Sequence, residues 1–277
     1  MSGLQATVLG IIQGLTEFLP ISSTAHLRIV PELLGWKDPG AAFTAVIQLG
    51  TLVAVIWYFR RDIAKLLTAV GNDIKQRRLG TSREAKLAWM ICVGTIPIVI
   101  CGLMFKKYIK EDLRDLRVIA TAMIGFALLL LTAEVMAARR GRHREEEEIG
   151  WFDVLFIGCF QALALIPGAS RSGTTITAGL FAGLSRSAAA RFSFLLSLPS
   201  VFAAAVYELY KDRQEILAST DDAVALLIAT IVSGIFGYAS IAFLIGFLKR
   251  YSTSVFIIYR IILGVALFVL IQQGMLK

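Results

Sequence analysis

Charged residues are scarce in this sequence. Asp, Glu, Lys and Arg make up 17% of its 277 residues and hydrophobic residues make up 57%, whereas a typical soluble domain is about 25% charged. The mean hydropathy is +0.72. A soluble domain of this length needs more polar surface than these residues supply, so the shortage of charge excludes that class and indicates a membrane protein.

Cysteine is also rare. Cys92, Cys101 and Cys159 lie in apolar segments without paired or metal-ligand spacing, which excludes a disulfide framework. We expect them to be small, buried apolar side chains. We also expect no cleavable signal peptide, because the first apolar run leads directly into a polar motif.

The net charge of +8 does not predict a nucleic-acid partner, because the basic residues cluster in loops between apolar segments. An excess of Lys and Arg marks cytoplasmic loops in membrane proteins. The loops at 60–86, 139–150, 185–191 and 247–254 hold the larger share of these residues. The sequence therefore predicts that these loops are cytoplasmic and that both termini lie outside.

Long apolar segments occupy much of the chain. An α-helix needs about 20 residues to cross a hydrocarbon core. Six segments have the required length and composition: about 41–59, 87–105, 118–138, 192–210, 223–247 and 253–276. We predict an all-α integral membrane protein with a single membrane domain.

Two further apolar segments, at 1–16 and 154–166, are too short to cross. A helix of about 13–16 residues spans only about 20–24 Å. Each segment ends at a proline and a polar cluster. Irregular backbone at membrane depth is tolerated where it is buried in protein or lines a wet cavity. These segments are therefore predicted to form two re-entrant helical hairpins.

The two hairpin regions resemble each other. The pattern GxxQxL occurs at 10–15 and 158–163, and after a slip of one residue PxxS occurs at 20–23 and 167–170. This likeness predicts an internal repeat.

The repeat divides the chain into two halves, 1–138 and 150–277, each a re-entrant hairpin followed by three crossings. An odd number of crossings turns the second half upside down relative to the first. Inverted repeats place their sites near the bilayer midplane, among broken helices.

Ionisable residues inside apolar segments are costly, so each is a functional candidate. Glu17, His26 and Arg171 stand out because hydroxyl-bearing residues surround them. Helix N-termini favour bound anions, and a guanidinium matches phosphate geometry. The clusters at 17–26 and 167–175 therefore predict a phosphoryl-transfer site.

Other polar residues have simpler explanations. Glu134, Glu208 and Arg260 lie near span ends or aromatic residues, where they are expected to snorkel or to form ion pairs. The charged run at 139–148 is expected to be a solvated loop face. Ser and Thr in membrane helices often bond only to backbone or to a neighbouring helix.

The segments QGLTEFLPISSTAH at 13–26 and PGASRSGTT at 167–175 resemble the two signature motifs of the bacterial undecaprenyl-diphosphate phosphatase (bacitracin-resistance) family. The likeness extends over the whole chain in length and span order. It implies an enzyme of the bacterial plasma membrane that removes the terminal phosphate of undecaprenyl diphosphate. The product, undecaprenyl phosphate, is the lipid carrier of peptidoglycan precursors.

The resemblance also implies a divalent cation, Mg²⁺ or Ca²⁺, and a homodimer. In one place the sequence departs from the commoner family pattern, because Gln13 occupies the position of the first acidic residue. The Gln13 carbonyl can still coordinate a cation but carries no charge. Glu17 must therefore supply the negative charge.

These observations define the candidate site. The predicted catalytic residues are Glu17, Ser23, His26 and Arg171, the predicted phosphate-binding residues are Ser22, Thr24, Ser170, Ser172, Thr174 and Thr175, and the predicted metal ligands are Glu17 and Gln13. In the leading hypothesis Ser23 attacks the terminal phosphorus and His26 acts as general base or acid. The alternative is direct attack by a water that His26 or Glu17 activates. The site is expected to open to the periplasmic face.

A second class of function stays open. Inverted repeats with broken helices are typical of secondary transporters, and the same architecture could carry a polyprenyl phosphate across the bilayer. The combination of carboxylate, serine, histidine and arginine favours the enzyme, because transport of a lipid phosphate needs cations but no nucleophile.

Overall fold

The computed structural model describes residues 1–110 and 112–276, and these residues form helices without any β-strand. In chain order the α-helices are α1 Gly3–Phe18, α2 Ser23–Leu33, α3 Gly40–Tyr58, α4 Arg60–Lys75, α5 Arg83–Met104, α6 Lys106–Lys110, α7 Leu116–Ala138, α8 Trp151–Leu163, α9 Arg171–Phe181, α10 Arg186–Lys211, α11 Arg213–Ile216, α12 Thr220–Leu248 and α13 Ser254–Gln272.

Six of these helices are long and apolar enough to cross a membrane: α3, α5, α7, α10, α12 and α13. They coincide with the six predicted segments, which confirms the all-α integral membrane fold. The largest difference in bounds is at α10, which begins at Arg186 rather than near 192. The Ser185 hydroxyl caps this helix by accepting from the N–H of Ala188 at 3.2 Å, so the helix starts in the polar segment before the apolar run.

Four of the other helices, α1, α2, α8 and α9, form two pairs. α1 and α2 join through 19–22, and α8 and α9 join through 164–170. Glycines of the GxxQ pattern let each first helix approach a crossing helix closely. A Cβ at Gly10 would lie 2.6 Å from the carbonyl oxygen of Ala229 in α12, and one at Gly158 would collide with the carbonyl of Gly94 in α5. Small residues at such contacts are typical of packed membrane helices.

The two hairpins begin at opposite ends of the helix bundle. The Met1 ammonium group lies 3.3 Å from Oδ1 of Asp222, near the start of α12. At the other end of α12, Thr253 donates its hydroxyl to Glu134 near the end of α7, at 2.7 Å. Because α8 follows α7 through 139–150, the second hairpin starts where α12 ends.

The predicted cytoplasmic loop at 60–86 contains an amphipathic helix, α4, that the sequence analysis missed. Buried Asp73 near its end organises the following turn. The hydroxyl of Thr81 donates to this carboxylate, as do the backbone N–H groups of Gly80 and Thr81. The Thr81 hydroxyl lowers the pKa of Asp73 most, with further lowering by these backbone groups.

The expected burial of the cysteines was wrong. Cys92 and Cys159 are exposed on the surface of the bundle, and Cys101 is half-buried. Cys92 and Cys101 lie on the crossing helix α5. A thiol behaves as a small hydrophobe, so hydrocarbon suits it as well as a protein core does.

The charged run at 139–148 is not simply a solvated face. Arg140 donates to the carbonyl oxygens of Leu180 at 3.0 Å and Phe181 at 2.7 Å. Arg144 pairs with Asp153 at 2.7 Å, and this hydrogen bond raises the pKa of Arg144. Guanidinium groups thus bind the unsatisfied carbonyls at the C-terminus of α9, where cations are favoured.

Glu134 and Glu208 form ion pairs, as predicted. Glu134 accepts from Nε of Arg186 at 2.6 Å, and Glu208 lies 3.6 Å from Nζ of Lys106.

Candidate active site

Four predicted site residues meet where the two hairpins touch. Glu17 near the end of α1 is the centre of the cluster. Its Oε2 accepts from the Ser23 hydroxyl at 2.6 Å and from Nε2 of Gln13 at 2.8 Å. Its Oε1 pairs with the guanidinium of Arg171, the first residue of α9. Glu17 and Ser23 are both buried, so these polar groups satisfy one another in a setting of low dielectric.

Both hairpin turns use the same strained backbone. Ser22 has φ +74° and Ser170 has φ +71°, a left-handed conformation that non-glycine residues rarely adopt. Each serine is an N-cap: the Ser22 hydroxyl accepts from the N–H of Ala25 at 3.4 Å, and that of Ser170 from the N–H of Gly173 at 3.1 Å. Such strain persists only where surrounding contacts impose it, and it concentrates at functional sites.

This geometry corrects the register of the internal match. Ser22 corresponds to Ser170, and Ser23 therefore corresponds to Arg171. The two GxxQ patterns then align with no slip, and the prolines differ in position by one residue. The match of Ser23 to Ser170 was wrong because it relied on the prolines rather than on the helix caps.

The N-termini of α2 and α9 face one cavity of about 430 Å³. Its polar lining includes Glu17, Ser22, Ser23, Thr24, Ser170 and Arg171 from the two hairpins. Helix N-termini carry partial positive charge and free N–H groups, which favour anions. Two such termini and a guanidinium in one cavity suit a ligand with several negative charges.

Three of the predicted phosphate-binding residues turn away from this cavity. The Ser172 hydroxyl donates to the carbonyl of Leu19 at 3.1 Å. Thr174 and Thr175 donate to the carbonyl of Arg171, at 2.9 and 2.8 Å. All three side chains are buried and bond to backbone, as hydroxyls in helices often do. The described contacts therefore give no support to their predicted phosphate binding.

Both ring nitrogens of His26 bond to groups other than the predicted nucleophile. Its Nδ1 lies 2.7 Å from the carbonyl oxygen of Ser22, and its Nε2 lies 2.6 Å from the hydroxyl of Tyr259. Because a carbonyl only accepts, Nδ1 carries the proton, and in the neutral ring Nε2 accepts from Tyr259. The Ser23 hydroxyl instead donates to Oε2 of Glu17, at 2.6 Å.

Arg260 is a site residue that the sequence analysis misjudged. It was expected to snorkel or to form an ion pair, but it is fully buried within α13. Its NH2 group donates to the carbonyls of Gly168 and Ala169, each at 2.9 Å, and its NH1 group donates to that of Pro20 at 3.4 Å. One guanidinium therefore joins the turns of both hairpins.

A sequence profile described as "Bacitracin resistance protein BacA" matches residues 6–266. The chain belongs to the BacA family. A Chlorobium limicola protein named undecaprenyl-diphosphatase is 58% identical over 281 residues, covering 100% of this chain and 99% of its own. Proteins of the same name from Chlorobaculum tepidum and Chloroherpeton thalassium are 58% and 55% identical, and each alignment covers at least 99% of both chains.

This BacA-family site has oxygen donors that fit a divalent cation. The Glu17 carboxylate, the Ser23 hydroxyl and the Gln13 carbonyl are the hard ligands that Mg²⁺ and Ca²⁺ prefer. Oε1 of Gln13 is buried and has no hydrogen-bond partner among the described residues. Within 1–110 and 112–276 no group of three or more His, Cys, Asp or Glu residues could hold a metal. The chain would thus supply only part of a coordination shell.

Proposed function

We propose that this protein is an undecaprenyl-diphosphatase, which hydrolyses the terminal phosphate of undecaprenyl diphosphate and releases undecaprenyl phosphate. The observation that carries the proposal is the contact of the Ser23 hydroxyl with Glu17, 2.6 Å away, beside Arg171 and two helix N-termini. A nucleophile, a base and an anion site thus share one cavity in a membrane protein. Relatives more than half identical to it carry this enzyme name.

In the proposed reaction the diphosphate displaces Arg171 from its pair with Glu17 and takes the guanidinium as a bidentate partner. The Ser23 oxygen attacks the terminal phosphorus while its proton passes to Glu17. The bond between that phosphorus and the bridging oxygen breaks, and undecaprenyl phosphate leaves with the electron pair. Water then hydrolyses the phosphoserine: one of its protons returns to the Ser23 oxygen, the phosphorus leaves as inorganic phosphate, and Glu17 releases to solvent the proton it accepted. Arg171 and the helix N-termini stabilise the negative charge throughout.

Direct attack by water remains the alternative chemistry. Glu17 is the better placed base for that route as well, since His26 bonds to Ser22 and Tyr259. In both routes we assign His26 the task of holding the Ser22 turn, and with it the N-terminus of α2.

We further propose that Mg²⁺ or Ca²⁺ binds with the substrate, held by Glu17, Gln13 and Ser23 and by phosphate oxygens. The cation would neutralise part of the diphosphate charge. Gln13→Glu adds a carboxylate beside Glu17, so the Mg²⁺ concentration for half-maximal activity should fall several-fold. Glu84→Gln, at an exposed position in the first turn of α5, is the control. An unchanged Mg²⁺ titration for Gln13→Glu would exclude Gln13 from the cation site.

The proposed setting is the bacterial plasma membrane, with the cavity open to the periplasm. The division into inverted halves, 1–138 and 150–277, remains our prediction, as does a homodimer. Hairpins that begin at opposite ends of the bundle support the inversion. The transport alternative has no specific observation in its favour.

The deciding experiment is phosphate release from undecaprenyl diphosphate by the purified protein in detergent, with Mg²⁺ and with EDTA. We expect turnover only with the cation, and we expect Arg171→Ala to lose about 10³-fold or more in kcat. The control is Arg250→Ala, an exposed arginine at the end of α12. Because detergent abolishes the two sides of the membrane, a pure transporter would release no phosphate. Wild-type kcat in Arg171→Ala would refute the assigned site.

A further inference from the structure

The cavity that holds the charged cluster has an apolar flank. Helices α5 and α10 supply that flank with residues at helical spacing: Ile98, Val99, Gly102, Leu103, Ala203 and Ala204. Leu103 is 64% exposed and Val99 is 40% exposed. On a helix long and apolar enough to cross the membrane, such exposure places them against lipid. One cavity therefore joins the anion site to the hydrocarbon phase.

Helices α5 and α10 pack closely at Gly94 but leave open space at Gly102. A Cβ at Gly94 of α5 would lie only 3.0 Å from a methyl carbon of Leu196 in α10. Two turns further along α5, a Cβ at Gly102 would meet only Leu165, at 3.8 Å or more. At this level α10 and α5 line the cavity without filling it.

Beyond the end of α5, the first residue of α6 contacts α10. Nζ of Lys106 lies 3.6 Å from Oε1 of Glu208 and 3.9 Å from the centre of the Tyr207 ring. The opening is thus bounded by the Gly94–Leu196 packing at one end and by this ion pair and cation–π contact at the other. The two boundaries, Gly94 in α5 and Lys106 at the start of α6, are twelve residues apart, or about 18 Å at helical rise. We call this opening the α5–α10 window.

We propose that the undecaprenyl chain leaves the cavity through the α5–α10 window, so that Gly102 and Ala204 determine whether a long prenyl chain fits. This inference rests on the proposed function. A cavity of about 430 Å³ is at the small end for a drug-sized ligand, so it cannot enclose the long chain. The chain must stay in hydrocarbon while its diphosphate enters the polar cavity. A lateral window permits both.

A second groove offers a matched comparison. It measures about 600 Å³ and lies along α7, lined by Val118, Ala122, Gly125 and Ile166 among others. Its lining includes none of Glu17, Ser23 and Arg171, so it does not reach these charged and hydroxyl groups. At Gly125 an added Cβ would meet nothing within 4 Å. Gly102 and Gly125 are therefore two glycines on crossing helices that both tolerate a side chain sterically.

The test compares Gly102→Phe with Gly125→Phe for hydrolysis of undecaprenyl diphosphate by the purified full-length protein. We expect Gly102→Phe to raise KM about tenfold or more with kcat at saturation within about twofold of wild type, because only chain binding is lost. Gly125→Phe should behave as wild type. Ala204→Phe, on the facing helix, should reproduce the Gly102 effect, and thermal unfolding of each variant reports whether it is folded.

A second measurement does not depend on substitution. A polyprenyl diphosphate with a photoreactive group on its chain should label α5 near 98–103 and α10 near 201–206. The α5–α10 window is refuted if the label lies on α7 or is spread over all lipid-facing helices. It is also refuted if folded Gly102→Phe and Ala204→Phe keep the wild-type KM, or if Gly125→Phe has the same effect as Gly102→Phe. If the wild-type protein releases no phosphate at all, the proposed function fails instead.

Discussion

In the proposed reaction Ser23 is the nucleophile. It begins α2, and its hydroxyl donates to the Glu17 carboxylate rather than to a backbone carbonyl. A serine placed for packing alone would bond back along its own helix, as Thr174 and Thr175 do. The contact with Glu17 instead holds the oxygen at the N-terminus of the helix, facing the cavity.

If Ser23 is the nucleophile, Ser23→Ala should reduce turnover by about 10³-fold or more. Acid quenching with substrate labelled on its terminal phosphate should trap a phosphoserine in the wild-type protein and none in the variant. Ser252→Ala, in the loop before α13, is the control and should retain full activity. Appreciable residual turnover without labelled protein would favour direct attack by water.

Arg260 is a positioning residue, since its guanidinium contacts the turns and not the cavity lining. Arg260→Met removes the donor from the carbonyls of Pro20, Gly168 and Ala169, and an unsatisfied buried acceptor costs about 1–3 kcal/mol. We expect a lower Tm and, in the folded fraction, a kcat reduced about tenfold or more, because small misplacements of reacting groups slow a reaction strongly.

Arg260→Lys tests that explanation. Lysine keeps a charge and three donors but lacks the planar fork, so it should recover part of the kcat that Arg260→Met loses. Arg250→Met, at an exposed position, should change neither Tm nor kcat. A folded Arg260→Met protein with wild-type kcat would show that joining the two turns is irrelevant to catalysis.

At the scale of the element, the hairpin turns decide where the functional groups lie. Ser22 and Ser170 each combine an N-cap with a left-handed φ. The cap stabilises the helix start by about 0.5–2 kcal/mol, while the left-handed conformation costs an L-residue roughly 1–2 kcal/mol. The stability of each turn therefore depends on both the capping hydroxyl and the backbone conformation of its serine.

Ser170→Ala loses the cap and keeps the strain, whereas Ser170→Gly loses the cap but relieves the strain. We expect Ser170→Ala to have the lower Tm of the two, by a few degrees. Ser185→Ala and Ser185→Gly form the matched pair, since the Ser185 cap has φ −63°. Glycine is a better N-cap than alanine at either site, so its advantage should be smaller at Ser185, where no strain is relieved. An advantage at Ser170 no larger than that at Ser185 would mean that the φ of Ser170 carries no strain.

Several elements could be predicted from sequence because they follow from length and polarity alone. The six crossings follow from hydropathy, and the two hairpins follow from apolar runs that end early at proline. The register between the hairpins could not be read in this way, because Pro20 and Pro167 are displaced by one residue while the caps are aligned. Arg260 was misjudged because its hydrogen-bond acceptors are backbone carbonyls of turns that are distant in the sequence. Residue types do not reveal which backbone carbonyls a side chain will contact.

At the scale of the whole molecule, three connections lie on the side to which the cavity opens: α2 to α3, α6 to α7, and α10 to α12. Arg28, Lys106 and Arg114 line the cavity there. Carboxylates pair with them, as Asp38 does with Arg114 at 2.7 Å. The opposite side carries α4 and the Arg-rich segment at 139–150. The distribution of Lys and Arg between the two sides predicts that the cavity side is periplasmic.

Cysteine labelling in intact cells tests this orientation. In a background where Cys92, Cys101 and Cys159 are replaced by serine, Lys37→Cys and Lys107→Cys mark the cavity side. Arg77→Cys and Arg142→Cys mark the other side. All four marker positions are exposed. A membrane-impermeant maleimide should label the first two in intact cells and the second two only after permeabilisation.

The labelling pattern decides which leaflet supplies the substrate. With the cavity side outward, the α5–α10 window faces the outer leaflet, so the diphosphate would be hydrolysed there and undecaprenyl phosphate released there. The reverse pattern would move the cavity to the cytoplasmic face and contradict the predicted topology while leaving the chemistry of Ser23 and Glu17 intact. Two crossings, α3 and α5, separate position 37 from position 107, so labelling of one of these two positions without the other would contradict the fold itself.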